Sequence, residues 1–292
     1  MKNILVVAEK NATNLVALNK ALALARSTGA AIELVGFVHE NGIENSELLN
    51  KRQQQAVKKK LLDDKKALIK TELAKLVTKG VKIKTDVVWE KSVHDWIISR
   101  CKASDFDLVV KSGHRSETMF YTPTDWHLIR SCPTPVLITS SKSWAGKQPI
   151  VAAVDLNTEV KNKVKLNKRV IEFAKMIADC TAQPVKYVFT ISLPRVIADL
   201  EIIDEVKLAK EAKAKAAEQL KTTYAAYNIS LKDVIIRRGD ASKVISKAAK
   251  QNKTDLVVMG TIGRKGIRGK LIGNTAESVL SKLQSDVLAV KV

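Results

Sequence analysis

Two features of this 292-residue sequence combine residue types and spacing suited to chemistry. The first is Gly260-Thr261-Ile262-Gly263, then nine residues, then Gly273-Asn274-Thr275. It follows the run Asp255-Leu256-Val257-Val258-Met259, which reads as a strand, and it opens a helical stretch. Glycines let backbone amides approach phosphate oxygens, and a helix start adds unpaired N–H donors with a partial positive charge. Arg264, Lys265, Arg268 and Lys270 in the intervening loop supply neutralising charge. The same residues also suit a basic surface loop with Asn274 and Glu277 as a capping pair. No Gly-Lys-Ser/Thr follows, so this is not a Walker loop. It also comes after a late strand, so it is not the dinucleotide fingerprint. The second feature is Asp155, at the carboxyl end of the apolar run 150–154. A carboxylate there can accept hydrogen bonds from a ribose hydroxyl or an adenine amino group, or it can form a turn or helix cap.

The elements that must position these residues come from an internal repeat. Leu18-Asn19-Lys20 recurs as Leu166-Asn167-Lys168, and Asp107-Leu108-Val109-Val110 recurs as Asp255-Leu256-Val257-Val258, both at an offset of 148. Pro135-Val136-Leu137 corresponds to Asp286-Val287-Leu288 at 151, so the second copy has a longer loop after its fourth strand. In the first copy strands are expected at 4–8, 31–38, 82–89, 108–111 and 136–139, and helices at 17–28, 46–78, 94–103 and 125–130. In the second, strands are expected at 150–154, 185–190, 231–237, 256–259 and 287–290. Its helices are expected at 162–178, 204–227, 241–250 and 274–283. Short apolar strands alternating with helices predict an α/β fold: two tandem Rossmann-like domains, each a five-stranded parallel sheet with helices on both faces. The joint falls near 140–148, giving domains 1–143 and 144–292. Ligands of such sheets lie beyond the carboxyl ends of the strands.

Composition narrows the function classes. There are 50 Lys and Arg against 30 Asp and Glu, a net charge of +20, which favours nucleic acid, anionic lipid or nucleotide partners. The excess is spread over both halves, with 23 basic and 15 acidic residues in 1–143 and 27 and 15 in the rest. Such runs suit solvated helix faces, and aromatic residues at 4 % supply little for stacking single strands. Three cysteines with no CxxC, and four histidines, argue against a disulfide scaffold or a clustered zinc site and fit a reduced cytoplasmic setting. No apolar stretch approaches a membrane span. Cys132 has no evident base beside it, and the adjacent His94 and Asp95 diverge on a helix, so neither suggests a catalytic centre.

The pattern Gly260-x2-Gly263-x9-Gly273 after an Asp-Leu-Val-Val-Met strand resembles the universal stress protein family, and Asp155 matches that family's first-strand aspartate. The tandem layout resembles its two-domain E-type members. So do Phe120-Tyr121-Thr122-Pro123-Thr124-Asp125-Trp126-His127-Leu128, Cys132-Pro133-Thr134-Pro135-Val136 and Gly273-Asn274-Thr275-Ala276-Glu277. The resemblance covers essentially the whole chain. It implies an adenine nucleotide alpha hydrolase-like fold, a cytoplasmic stress-response role and ATP, with magnesium, as the ligand of the second copy. Adenine and ribose would meet Ala153, Asp155 and Thr190. Met259 and Gly260 would approach the nucleotide, and Gly263, Gly273, Asn274 and Thr275 would meet the phosphates. Asn274 stands where the family has serine or threonine, so a hydroxyl is replaced by an amide.

In the first copy Glu9 replaces the aspartate, and Ser112, Arg115 and Thr122 stand where the glycines would be, so no nucleotide is expected there. Thr122-Pro123-Thr124-Asp125 reads as a helix start, with Thr122 at the N-cap. The resulting expectation is a binding protein rather than an enzyme, with ATP hydrolysis no more than slow and incidental. The two domains pair as an intramolecular pseudo-dimer, with homodimerisation of the chain left open. Two alternatives stand beside it. One is an apolar-ligand or lipid-precursor binder using His114, His127, Trp89 and Trp96 of the first domain. The other is a basic factor associated with RNA or DNA.

Overall fold

The computed structural model describes residues 1–11, 15–113, 123–144, 146–191, 204–261, 274–283 and 285–292. The described chain falls into two compact units that divide between Ser141 and Lys142. In the first unit the elements run β1 (Asn3–Val7), α1 (Val16–Thr28), β2 (Ala31–Val38), α2 (Asn41–Glu44), α3 (Lys51–Ala74), β3 (Ile83–Trp89), α4 (Val93–Ala103), β4 (Leu108–Ser112), α5 (Pro123–Ser131) and β5 (Val136–Thr139). The strands lie in the order β3-β2-β1-β4-β5, all parallel.

The second unit runs β6 (Ile150–Ala153), α6 (Lys161–Thr181), β7 (Val185–Ile191), α7 (Glu205–Lys221), β8 (Val234–Arg238), α8 (Ala241–Gln251), β9 (Leu256–Gly260), α9 (Asn274–Leu280) and β10 (Asp286–Val290). Its strand order is β8-β7-β6-β9-β10, again all parallel. Each unit is therefore a doubly wound sheet whose order reverses beside its first strand. That reversal opens a crevice at the carboxyl ends of the first and fourth strands. The strands at the reversal are buried along nearly their whole length, because helices must cover both faces of a parallel sheet.

Local chemistry explains the helix limits. Gly29 ends α1 in the left-handed conformation (φ 72°) that glycine adopts without strain, and its N–H donates to Ala25 O. The expected helix over 46–78 is shorter. Asn50 and Gln53 form a reciprocal capping box, worth about 1 kcal/mol, that starts α3 at Lys51. The expected helix over 204–227 also divides. Asp204 caps α7 through the N–H groups of Val206 and Lys207, and the helix ends at Lys221. A 3-10 turn at Ala225–Tyr227 follows, and Tyr224 just before it is buried. Asp240 caps α8 by accepting from Lys243 N at 3.0 Å. Trp144 belongs to the second unit, where its indole N–H donates to the buried Asp286 carboxylate at 2.8 Å.

One match in the internal repeat does not survive in three dimensions. Leu166 and Asn167 are both buried on α6, whereas Leu18 is buried and Asn19 exposed on α1. The buried faces coincide at an offset of 149, with Ala17, Leu18, Ala21, Leu22 and Ala25 matching Leu166, Asn167, Val170, Ile171 and Ala174. The shared Leu-Asn-Lys triplet is thus one residue out of structural step, because Asn167 occupies a core position that Leu18 fills in the first unit.

Candidate functional site

The crevice of the second unit is built on β6, β7 and β9. Ala153 pairs with Val188 on one side and Met259 on the other, at the last rungs of β6. Thr190 lies two residues beyond Val188 on β7, and Gly260 one beyond Met259 on β9. Asp155 follows the end of β6 with its side chain 51 % exposed. Its backbone is fixed from below: Asn167 accepts from Asp155 N at 3.1 Å and donates to Asp155 O at 2.7 Å. The same amide donates to the Tyr224 hydroxyl at 2.9 Å. Burial pushes the Tyr224 phenol above its usual range. The main chain at Asp155 is thus held rigidly while its carboxylate stays half exposed, and among the described residues Lys163 approaches it, at 3.9 Å. An exposed pair at that distance contributes little to stability and leaves the carboxylate free to accept other donors.

Gly260 has a packing reason for being glycine. A Cβ there would fall on the Cδ2 and Cγ atoms of Leu166, so helix α6 uses that space. Thr261 continues the strand, its N–H donating to Val290 O at 2.8 Å. Gly263 and Gly273 lie outside the described residues, as does the basic loop between them. Asn274 and Thr275 open α9. The expectation of a helix over 274–283 shortens to these seven residues.

The first unit shows what the same strand ends do with other side chains. Val7 pairs with Val35 and Lys111 as Ala153 pairs with Val188 and Met259. The counterparts of Ala153, Asp155, Thr190, Met259 and Gly260 are therefore Val7, Glu9, Phe37, Lys111 and Ser112. All five line one cavity of about 300 Å³, together with Ala8, Lys10, His39, Glu90, Lys91, Val93 and Thr124. The strand-end positions named from the sequence of the second copy thus surround an actual cavity in the first.

Its chemistry differs. Glu9 is engaged internally through one oxygen: Oε1 accepts from Ala17 N at 3.0 Å, capping the start of α1, and also from the Ser112 hydroxyl, while Oε2 is buried without a hydrogen-bond partner. Lys111 is buried and bonded to Asp125 at 2.8 Å. Asp125 is fully buried in that pair, on the first turn of α5. Lys65 of α3 clamps the chain after β1 through the carbonyls of Glu9 and Lys10 at 2.6 and 2.7 Å. Burial lowers its pKa, and the nearby Glu9 charge works against that.

Of the expected aromatic pocket of His114, His127, Trp89 and Trp96, the three described residues do not line this cavity. His127 stacks on His94 at 4.1 Å, and the Trp89 indole donates to Glu44 at 2.6 Å. Trp96 meets Phe37 edge-on at 5.3 Å, and Phe37 is the ring that reaches the cavity. His114 and Thr122 lie outside the described residues. Cys101 and Cys132 are buried. The hydrogen bond to Cys132, reinforced by burial, drives the Cys101 thiol far above its usual range, which suits packing and not nucleophilic attack.

With this geometry in view, the comparisons with known proteins are specific. The profile of the universal stress protein family matches residues 1–140 and again 148–291. The chain belongs to the universal stress protein family. It is a stress-response protein of that family, with two copies of the family unit. Universal stress protein E of Salmonella typhi is 27 % identical, over 99 % of this chain and 94 % of that protein. The Universal stress protein E homolog of Haemophilus influenzae is 27 % identical over 99 % and 97 %. A functionally unknown protein from Pseudomonas aeruginosa PAO1 has a similar structure, with a TM-score of 0.74, 27 % identity and coverage of 100 % and 92 %. A universal stress protein from Archaeoglobus fulgidus shares the fold at a TM-score of 0.61 and 16 % identity, covering 99 % of this chain and 98 % of that one.

An adenine nucleotide, with magnesium, is the group that membership suggests. The adenosine half fits the described residues, which offer one open carboxylate on a fixed backbone, the small Ala153 and the half-buried Thr190 hydroxyl. Magnesium would find one carboxylate here. The described residues gather no group of three or more His, Cys, Asp or Glu, so phosphate oxygens and water would complete its shell. Sequence reasoning missed Asn167 and Tyr224, which hold Asp155 in place. A signal was present, because an asparagine on the apolar stripe of a helix must find partners inside.

Proposed function

We propose that the second unit binds an adenine nucleotide, with Asp155 accepting hydrogen bonds from the ribose hydroxyls or the adenine amino group. The observation that carries this is the contrast between two equivalent carboxylates. One oxygen of Glu9 serves a helix cap and Ser112, while Asp155 is half exposed and no backbone N–H or hydroxyl of the described residues donates to its carboxylate. Ala153 and Thr190 leave room where Val7 and Phe37 stand in the first unit. Gly263, Gly273, Asn274 and Thr275 would then receive the phosphates. The protein acts in the cytoplasm as a nucleotide-dependent binding protein rather than as an enzyme.

Thermal melts test this. Saturation at 100 times the dissociation constant adds about 2.7 kcal/mol of stability, so ATP should raise the melting temperature of the native chain. It should not raise that of Gly263→Val. An equal rise in both, or none in either, contradicts the proposal. A second reading is favoured by one observation, the cavity of about 300 Å³ in the first unit. Walled by Val7, Ala8, Phe37 and Val93, it suits a compact, largely apolar ligand. Mass spectrometry of small molecules released from the purified protein separates the two readings, since one expects adenine nucleotide and the other an apolar compound.

A further inference from the structure

A groove of about 460 Å³ runs along the outer side of α6 in the second unit. Lys161, Lys165 and Lys168 line it from one helix face, at spacings of four and three residues, with Val164 between them. Thr158 and Glu159 close one end, and Gln219 and Thr223 face the lysines from α7 and the turn after it. Asp155 and the strand ends of the nucleotide crevice are not part of it.

The charge balance inside the groove is one-sided. Its single carboxylate, Glu159, is already bonded to Lys215 at 2.5 Å. None of the three lysines makes an ion pair or hydrogen bond with another described residue. Like charges three and four residues apart weaken a helix by a few tenths of a kcal/mol per pair, so local stability does not explain the arrangement. Helix α6 adds to the positive field. Val160 at its N-cap offers no side-chain acceptor, and no acidic residue sits in its first turn.

A second, independent observation points to a ligand. Thr158 is only 9 % exposed and lines the groove, yet its hydroxyl bonds to no other described residue. That hydroxyl oxygen is not sealed in the core but opens to the groove, where a ligand oxygen can take the place of the water it bonds. Among the described residues no aromatic ring lines the groove, so none of them would stack a base. The duplicated unit lacks the feature. With the helices aligned by their buried faces, Val16 and Asn19 stand where Lys165 and Lys168 do.

We propose that this groove binds a compact, multiply phosphorylated small molecule. Seven residues of helix separate Lys161 from Lys168, a span of about 10 Å. That length suits two or three linked phosphates rather than a single anion. The lysines would neutralise the phosphates, and Thr158, Gln219 and Thr223 would donate to their oxygens.

The test uses the full chain and inorganic tripolyphosphate as the probe, with affinity measured by calorimetry at physiological ionic strength. Lys165→Glu combined with Lys168→Glu should weaken binding by about 30-fold or more, since each charge-assisted contact accounts for roughly tenfold. A control with the same change in net charge, Lys66→Glu combined with Lys70→Glu on exposed positions of α3, should cost less than about threefold, because these lysines do not line the groove and exposed charges are screened at this ionic strength. Thr158→Val should lower affinity by about three- to tenfold, the loss of one hydrogen bond. Tripolyphosphate binding should persist in Gly263→Val, which breaks the phosphate end of the proposed nucleotide crevice, and its loss there would place the probe in that crevice and overturn the proposal. Equal losses in the groove and control variants would reduce the effect to overall charge and overturn the proposal. So would full binding by the groove variant, or tighter binding of a single-stranded oligonucleotide lost in the same variant.

Discussion

Two copies of one unit ended with different chemistry at the same strand ends. In the first, the carboxylate after the leading strand is Glu9, long enough to reach the start of α1 and the hydroxyl of Ser112. In the second it is Asp155, one methylene shorter. There Asn167 fixes the backbone, and the carboxylate is left to the solvent. The fourth strand ends in a buried Lys111–Asp125 pair in the first unit and in Met259-Gly260 in the second. At these strand ends the first unit engages one oxygen of its carboxylate and its lysine in internal bonds, while the second leaves its carboxylate exposed. The difference teaches that a strand-end carboxylate can stay exposed when another side chain, here Asn167, holds its backbone.

The largest effect should come from breaking the first unit's closure. Lys111→Met leaves Asp125 buried without its cation, which costs about 3–5 kcal/mol. Urea denaturation should show this as a lower midpoint, and a loss below about 1 kcal/mol would mean Asp125 has other sufficient partners. Next comes Asp155→Ala, which should reduce ATP affinity by about 10- to 100-fold, the loss of one or two hydrogen bonds to a charged acceptor. Stability should hardly change, since the side chain is half exposed. Gly260→Ala is expected to cost about 1–3 kcal/mol by overpacking against Leu166. Combining it with Leu166→Ala should relieve that overpacking, and the double-mutant cycle would measure the coupling. The smallest effect should be Lys163→Gln. Removing an exposed partner at 3.9 Å should change stability by less than about 1 kcal/mol.

Much of this was legible in the sequence, because parallel strands and their helices announce themselves by period and punctuation. The run Leu256-Val257-Val258-Met259 can only be a buried strand, and Gly29 marks a helix end by its conformational freedom. The place of Asp155 just after the strand was legible too, since the apolar run 150–154 ends there. Less legible were pairings made across the fold. Nothing local to Asn167 says that it reaches Asp155 and Tyr224, twelve and 57 residues away. The repeated Leu-Asn-Lys triplet misled for the same reason, because identity of letters does not report which face of a helix is buried. The helix over 46–78 was overextended because charged residues in that segment hide the capping box at Asn50.

The most direct test of the account is the stoichiometry of ATP binding to the intact chain by isothermal titration calorimetry, with magnesium present, in native, Asp155→Ala and Glu9→Ala forms. One site per chain is predicted, lost or weakened at least tenfold in Asp155→Ala and retained in Glu9→Ala. Two equivalent sites, or a single site that survives Asp155→Ala and disappears in Glu9→Ala, would contradict the assignment of the nucleotide to the second unit.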